Sequence, residues 1–470
     1  MSADPDCEIS GVSYDSRATQ PGDLFVAVRG FEADGHRFIP SAVSKGAVAV
    51  LCETAPENGT PYVRVADSRL ALALVSRVFF SHPAEEMTMI GLTGTNGKTT
   101  SSYLLKHMLE SKLDAKVGLI GTNGVMIGDE FLHSERTTPE SYELQKLFRQ
   151  MADAGCTHVV MEVSSHSLVL DRVAGIRFQV GVFNNLTQDH LDFHGTMEAY
   201  AAAKRKLFQL CDLGCVNLDD GYAAYMMAEK ACPFLTFSAE RNDADLAAKD
   251  IRLSATGVRF ASVYQNQLAL TKLAIPGMFS VHNALGVMAV GLALGLSLAD
   301  CADAMSSAKG VKGRVEPVPT DGDYVILIDY AHTPDALENV LRTLKPLTKG
   351  RLIALFGCGG DRDRAKRPLM GAIAEKYADL CVVTSDNPRT EDPEGIIREI
   401  LAGMKNKKNS TKVICDRIEA IHWAIDMAGA GDVILLAGKG HEDYQVIGHE
   451  KRHMDEREIV AEYLELRKKL

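Results

Sequence analysis

The sequence predicts an α/β protein built from three domains. Short aliphatic, β-branched runs recur along the chain, each ending in polar residues, with helix-like segments between them. One run, "MTMIGL", leads into "TGTNGKTT" and then into helical spacing from Thr99 to Leu113, the strand, loop and helix order of a parallel sheet. The chain's 470 residues, at roughly 150 per domain, suggest about three domains.

Each domain is argued from its own stretch. Residues 1–86 read as short strands and turns ("GVSYDSR", "PGD", "LFVAV", "GAVAVLCE") and close on the helix-like "LALALVSRVFFSHP". The pattern changes after Pro83, and the next stretch, 87–314, opens on the "MTMIGL" strand. Further strands end in chemistry: "HVVMEVSSH" at Glu162, "FQVGVFNNLTQDH" at His190, "YVILIDYAH" at Asp329, "RLIALFGCGGDRD" at Arg362, "LCVVTSDNPR" at Arg389 and "DVILLAGKGHE" at Glu442. Ligands of parallel α/β sheets bind beyond the carboxyl ends of the strands, so six such tips predict one large site shared by two α/β domains. Pro317 and Pro319 interrupt the pattern in "GRVEPVPTDGD", which sets the third stretch at 315–470.

Charge and composition exclude several classes. With 51 basic and 62 acidic residues the net charge is −11, which disfavours a general nucleic-acid or anionic-membrane role. Local clusters can still serve anionic small substrates, and "GGDRDRAKRP" gathers Arg362, Arg364, Lys366 and Arg367. The ten cysteines include no CxxC pair, which predicts cytosolic thiols rather than zinc or disulfides. "MSADPDCEIS" lacks a basic region followed by an apolar run, so no signal peptide is expected and the protein is placed in the cytoplasm. The stretch "ALGVMAVGLALGLSLA" is shorter than the ~20 residues that cross a bilayer and predicts a buried helix.

"TGTNGKTT" resembles a phosphate loop, except that Leu92 stands where the standard motif has its first glycine. Gly94 and Gly97 let the backbone approach a phosphate, and the amides opening the next helix favour negative charge. Lys98 would reach the terminal phosphates and Thr99 would offer its hydroxyl to Mg²⁺.

"GTNGKTT" also resembles the ATP loop of the Mur ligases, whose loop has the same missing glycine. The resemblance extends over essentially the whole chain through "YDSR…PGDLFVAVRGFEADGHRFIP", "RTTPE", "MEVSSHSLVLDRV", "NNLTQDHLDFHGTMEAYAAAK", "HNALGV", "GRVE", "DYAHTPDAL", "FGCGGDRDRAKRPLMG", "SDNPRTEDP" and "GKGHEDYQ". It implies a UDP-sugar domain, a central ATPase domain and a Rossmann-like C-terminal domain. The activity implied is an ATP-dependent amide ligase that extends UDP-N-acetylmuramoyl-L-Ala-D-Glu by one amino acid, as a monomer.

Residue by residue, the resemblance assigns Gly94, Thr95, Asn96, Gly97, Lys98, Thr99 and Thr100 to ATP, with Asn283 at the adenine and Arg314 and Asp329 at the phosphates or ribose. Glu162 and His190 would hold Mg²⁺, joined by Lys204 as a carbamate, since CO₂ converts an ammonium that cannot ligate a cation into an oxygen-donating anion. Tyr14, Ser16, Phe31, Glu32 and Ala33 are implied for the UDP-sugar, and Thr137, Thr138, Ser164 and Arg172 for its peptide. Leu170 stands where some relatives have glutamine, and Tyr14 where they have leucine.

"DNPR" resembles the members that add meso-diaminopimelate. Arg389 and Arg362 can bind its distal carboxylate through charge-assisted hydrogen bonds, a group that lysine lacks. Asp386, Asn387 and Pro388 complete that segment, and Glu442 with Gly438 would take the distal ammonium. The alternatives are a lysine-adding ligase, a folylpolyglutamate-type ligase, which would lack the "YDSR…PGDLF" region, and a nucleotide-dependent switch that makes no product.

Overall fold

The computed structural model describes residues 6–30, 33–57, 59–134, 136–229, 231–405 and 410–469. The chain folds as two compact units: residues 1–246 with 286–297, and residues 247–285 with 298–470. The three predicted stretches therefore do not coincide with the units, because the middle one is divided between them.

The first unit opens with a parallel four-stranded sheet, β1 (Gly11–Ser13), β2 (Asp23–Val26), β3 (Ala49–Cys52) and β4 (Tyr62–Arg64). Its second sheet holds β5 (Thr88–Thr93), β6 (Val117–Gly121), β7 (Gly124–Ile127), β8 (Glu130–Leu132), β9 (His158–Glu162), β10 (Phe178–Phe183), β11 (Cys211–Asn217) and β12 (Phe234–Ser238). Their spatial order is β12-β11-β10-β5-β9-β6-β7-β8, and only β7 and β8 run antiparallel to their neighbours. From β5 the chain moves outward to β6, returns to insert β9, and then crosses to β10 on the other side of β5. The loop after β5 therefore lies at a topological switch point, the favoured ligand position in such sheets.

Residue choice follows this layering. Central strands are buried on both faces, so they read as continuous apolar runs such as "VVM" in β9 and "LIG" in β6. The amphipathic helix Ser68–Phe79 is capped by Asp67, whose carboxylate accepts from the amides of Arg69 and Leu70. The first part of the glycine-rich apolar stretch lies in the helix Met278–Ala293, which is buried from Asn283 through Val290. Among the described residues no helix is long and apolar enough to cross a membrane.

In the second unit, β13 (Leu246–Ser254) and the antiparallel pair β14 (Gly257–Tyr264) and β15 (Gln267–Leu273) precede the last large sheet. That sheet is β16 (Glu316–Val318), β17 (Val325–Asp329), β18 (Leu352–Phe356), β19 (Leu380–Val383), β20 (Ser410–Val413) and β21 (Val433–Ala437), in the order β16-β17-β21-β18-β19-β20. All but β16 are parallel, and a hairpin of β22 (Tyr444–Ile447) and β23 (Glu450–His453) follows.

A buried arginine ties the carboxyl ends of β19 and β21 together. Arg417 is 2% exposed, donates to Glu456 Oε1 at 2.8 Å, and reaches Ser385 O at 3.4 Å and Ala437 O at 2.9 Å. Removing one partner of a buried ion pair leaves the other uncompensated. Arg417→Met should therefore destabilise the second unit by about 3–5 kcal/mol. The chain's one tryptophan, Trp423, lies on the helix Arg417–Asp426, so its fluorescence during urea unfolding reads the change directly. An unchanged midpoint would remove this pair from the account.

Candidate active site

Beyond β5 the chain turns through Gly94 and Gly97, at φ 152° and 84°, a region glycine adopts without strain. Gly97 caps the helix Lys98–Leu113, which buries Thr99 and Thr100 in its first turn. The loop is clamped by the residues leaving β10. Asn184 N donates to Thr93 O at 3.0 Å, Thr95 N to Asn185 O at 3.0 Å, and Asn96 N to Asn185 Oδ1 at 2.8 Å. Sequence reasoning passed over both asparagines, although an "NN" pair directly after a buried strand was the available signal.

Two lysines meet at one carbonyl. Lys98 Nζ donates to Gly94 O at 2.8 Å and Thr95 O at 2.9 Å, and Lys204 Nζ, from the helix Met197–Gln209, donates to the same Gly94 O at 2.8 Å. Lys204 is 1% exposed. Burial, reinforced by the charge of Lys98, drives its pKa well below the ordinary lysine value and so favours the neutral amine.

Glu162, at the end of β9, is fully buried. Its carboxylate accepts from Thr122 N and Thr122 Oγ1, both at 3.0 Å, and among the described residues no cationic side chain pairs with it. Thr137 Oγ1 lies 3.1 Å from Thr122 Oγ1. Thr138 Oγ1 donates to Glu162 O at 2.8 Å and accepts from Ser164 N at 3.1 Å, while Arg172 Nη1 donates to Thr138 O at 3.1 Å. The structure thus brings Glu162, Thr137, Thr138, Ser164 and Arg172 together. His190 stands apart from this network: it is half-exposed at φ 52°, edge-on to the His166 ring at 4.9 Å and 3.5 Å from Asp189. Among the described residues no three His, Cys, Asp or Glu side chains gather as a metal cage.

Beside the first sheet lies a cavity of about 500 Å³ lined by Tyr14, Ser16, Ala33, Arg69, Arg136 and Glu140. Phe31 and Glu32 lie outside the described residues. Three guanidinium groups, of Arg69, Arg136 and Arg172, surround the single Glu140 carboxylate at 3.7, 3.6 and 3.3 Å, leaving an excess of positive charge at the cavity. The Tyr14 hydroxyl is spent on Glu143 Oε1, at 2.9 Å, and Leu170 is a buried apolar residue.

In the second unit Asp329 ends β17 with its carboxylate already accepting from Ala331 N and Val315 N, each at 2.8 Å. Arg314 lies over the Tyr330 ring, 5.6 Å from its centroid. Asn283, 3% exposed, has an Nδ2 without a hydrogen-bond partner among the described residues. The loops after β18, β19 and β21 converge. Arg389 sits at φ 51°, held by Arg389 N to Val446 O at 3.1 Å and by Nη1 to Gly360 O at 2.8 Å. A Cβ on Gly359 would fall 2.9 Å from Arg389 Nη1 and 3.7 Å from Arg362 Cγ, so both arginines flank this glycine. Gly438 abuts the Asp386 carboxylate in the same way, at 2.9 Å. Asn387 Nδ2 donates to Glu442 Oε2 at 2.9 Å.

Comparison with known proteins agrees with this arrangement. The chain matches the Mur ligase family catalytic domain over residues 8–86, the Mur ligase middle domain over 92–291 and the Mur ligase glutamate ligase domain over 313–440. The chain belongs to the Mur ligase family. Its relatives include the UDP-N-acetylmuramoyl-L-alanyl-D-glutamate–2,6-diaminopimelate ligase of Caldanaerobacter subterraneus, 47% identical with 99% of this chain and 96% of the relative covered. A protein of the same description from Clostridium acetobutylicum is 46% identical, covering 98% and 96%. A solved structure of a UDP-N-acetylmuramoyl-L-alanyl-D-glutamate–2,6-diaminopimelate ligase superposes with a TM-score of 0.76 at 34% identity, covering 98% of this chain and 95% of that one.

In this Mur ligase the basic run "GGDRDRAKRP" is less cationic than its sequence suggests. Arg364 pairs with Glu399, Lys366 donates to His332 O at 2.8 Å, and the buried Arg367 grips Glu391 at 2.9 and 2.8 Å and Glu399 at 2.9 Å. Arg367 also reaches Gly359 O at 3.2 Å, and Glu391 accepts from Asp361 N at 2.6 Å, so this pair fixes the loops that carry Arg362 and Arg389. The Arg367 hydrogen bonds, with the Asp361 amide, lower the Glu391 carboxyl to about 2.

A depressed carboxyl contributes stability above its unfolded value, near 4.5, and loses it as pH falls towards the folded value near 2. Glu391→Gln should therefore be less stable than wild type at pH 7, with the gap shrinking as pH falls through that window. Denaturant midpoints of both proteins at pH 7, 5 and 3 measure the gap, and one that stayed constant with pH would contradict the pairing.

Proposed function

We propose that this Mur ligase joins meso-2,6-diaminopimelate to UDP-N-acetylmuramoyl-L-alanyl-D-glutamate at the expense of ATP. The observation that carries the reading is that the loops leaving β18, β19 and β21 bring two arginines, Arg362 and Arg389, and two carboxylates, Asp386 and Glu442, to one set of strand ends. That pattern suits a distal carboxylate and a distal ammonium on one side chain. The full-length likeness to ligases described by those two substrates supports it.

In this reading the D-Glu side-chain carboxylate attacks the γ-phosphorus, the bond to ADP breaks, and an acyl phosphate forms. The amine at the L-centre of diaminopimelate then attacks the acyl carbon, loses a proton and expels phosphate, leaving the amide. Positioning and charge stabilisation do most of such catalysis. Gly94–Thr100 cradle the phosphates, and Lys98 exchanges its loop carbonyls for the γ-phosphoryl oxygens. Asn283, with its unpartnered amide, is assigned to the adenine, and Arg314 and Asp329 to the phosphates or ribose. The arginine-rich cavity with Tyr14, Ser16 and Ala33 takes the UDP-sugar, while Thr137, Thr138, Ser164 and Arg172 orient its peptide.

The residues also fit Mg²⁺. Glu162 is a buried carboxylate with no cationic side chain paired to it among the described residues, and burial favours the neutral Lys204 amine, the form that reacts with CO₂ to give an anionic carbamate. Thr99, Glu162, His190 and carbamylated Lys204 would contribute to two Mg²⁺ sites completed by phosphate oxygens and water, and the ions would neutralise phosphate charge when bound. The reaction is assigned to the cytoplasm, where ATP is available.

Mass spectrometry after offering ATP, the UDP-sugar dipeptide and a panel of diamino acids tests the reading. One new amide carrying diaminopimelate is expected, with phosphate release that requires both acceptor and amino acid. Phosphate release without a joined product would instead favour a nucleotide switch. Lys98→Ala should lower turnover by about 10²–10³-fold or more with unchanged thermal melting, as for loss of a preorganised charge donor. Near-normal turnover would remove the loop from the mechanism.

A further inference from the structure

Lys439 follows Gly438 in the loop leaving β21, and no step above uses it. Flanked by glycines in "AGKGHE", it has the sequence setting of a solvated loop lysine. The structure places it differently, with no exposure at all. Its ammonium donates to Asn387 Oδ1 at 2.5 Å and Tyr444 O at 2.8 Å, and it lies 3.2 Å from Asp386 Oδ1 and 3.4 Å from Glu442 Oε2. Three side chains from two separate strand-end loops therefore close around one buried cation.

Two consequences follow from that geometry. The first concerns orientation. Asn387 Oδ1 faces two pure donors, Lys439 Nζ and Val446 N at 2.9 Å, so its amide can point only one way, with Nδ2 towards Glu442. Most of the Asn387 side chain is thus consumed inside the protein, and its role is to hold Glu442. The second concerns charge. Asp386, which is buried, and Glu442, which is partly buried, would alone be two carboxylates repelling each other across a small gap. With Lys439 between them the group carries one net negative charge, complementary to a single ammonium, and the guanidinium groups of Arg389 and Arg362 remain for a carboxylate.

We propose that Lys439 is a positioning residue, fixing Asp386, Asn387 and Glu442 as a preformed receptor for the distal ammonium of the incoming amino acid. This rests on the diaminopimelate reading above.

Lys439→Met removes the charge at similar length. The KM for diaminopimelate should rise about 10- to 100-fold, the size typical of losing a group that orients ligating side chains. The KM values for ATP and for the UDP-sugar dipeptide should stay within about twofold, because both bind through other residues. Lys439→Arg, which keeps the charge, should recover part of the diaminopimelate KM. An unchanged diaminopimelate KM in folded Lys439→Met, or equal rises in all three KM values, would overturn the proposal. If the single variant does not fold, Lys439→Met combined with Asp386→Asn leaves no unpaired charge of that ion pair. Its diaminopimelate KM is then expected at least about fivefold above that of Asp386→Asn alone, and equality would again overturn it. Should wild type join a different amino acid, the diaminopimelate reading fails. The positioning role then stands or falls on the same KM split measured with that amino acid.

Discussion

A buried charge must find a partner or change its protonation state, and this constraint organises the strand ends on which both units of the chain depend. In the first unit burial and the neighbouring Lys98 outweigh the Asp189 charge and push Lys204 towards the neutral amine at the Gly94 carbonyl. Among the described residues no cationic side chain pairs with Glu162, which leans instead on Thr122. In the second unit the same constraint is met internally. Arg417 takes Glu456, Arg367 takes Glu391 and Glu399, and Lys439 takes Asp386 and Glu442.

That difference has a physical consequence. The second unit's recognition loops are pinned by ion pairs already present, so their geometry costs little further ordering when a small substrate arrives. Arg389 illustrates it, since its left-handed backbone is tolerable only because Val446, Gly448 and Gly360 accept or supply the surrounding hydrogen bonds. Burial would raise the Asp386 carboxyl, yet the charges of Lys439 and Arg417 outweigh it and keep the group below its ordinary range.

Much of this was legible in the sequence. The strand tips that end at Glu162, Asp329 and Arg389 could be read because a fully buried parallel strand is a continuous apolar run that stops where the chain meets solvent or ligand. Lys98 could be read from its loop. Lys204 could be placed only by resemblance, because nothing local says that the alanines of "AYAAAK" let that helix press against the loop after β5. The cationic look of "GGDRDRAKRP" misled because Glu391 and Glu399, which neutralise it, lie more than twenty residues further on. The two compact units divide the middle stretch differently from its sequence pattern, since the return of residues 286–297 to the first unit is a tertiary event that no local composition marks.

The central claim is that the two arginines at the second unit's strand ends, beside the Asp386 and Glu442 carboxylates, select an amino acid with a charged distal carboxylate. The ratio of kcat/KM for meso-diaminopimelate over L-lysine in the wild-type protein tests it most directly. Lysine would leave Arg389 and Arg362 facing an empty carboxylate position, and sites built to hydrogen-bond a group reject analogues lacking it by roughly 10⁴-fold or more. The account predicts a ratio of that order, and comparable efficiencies for the two amino acids would contradict it.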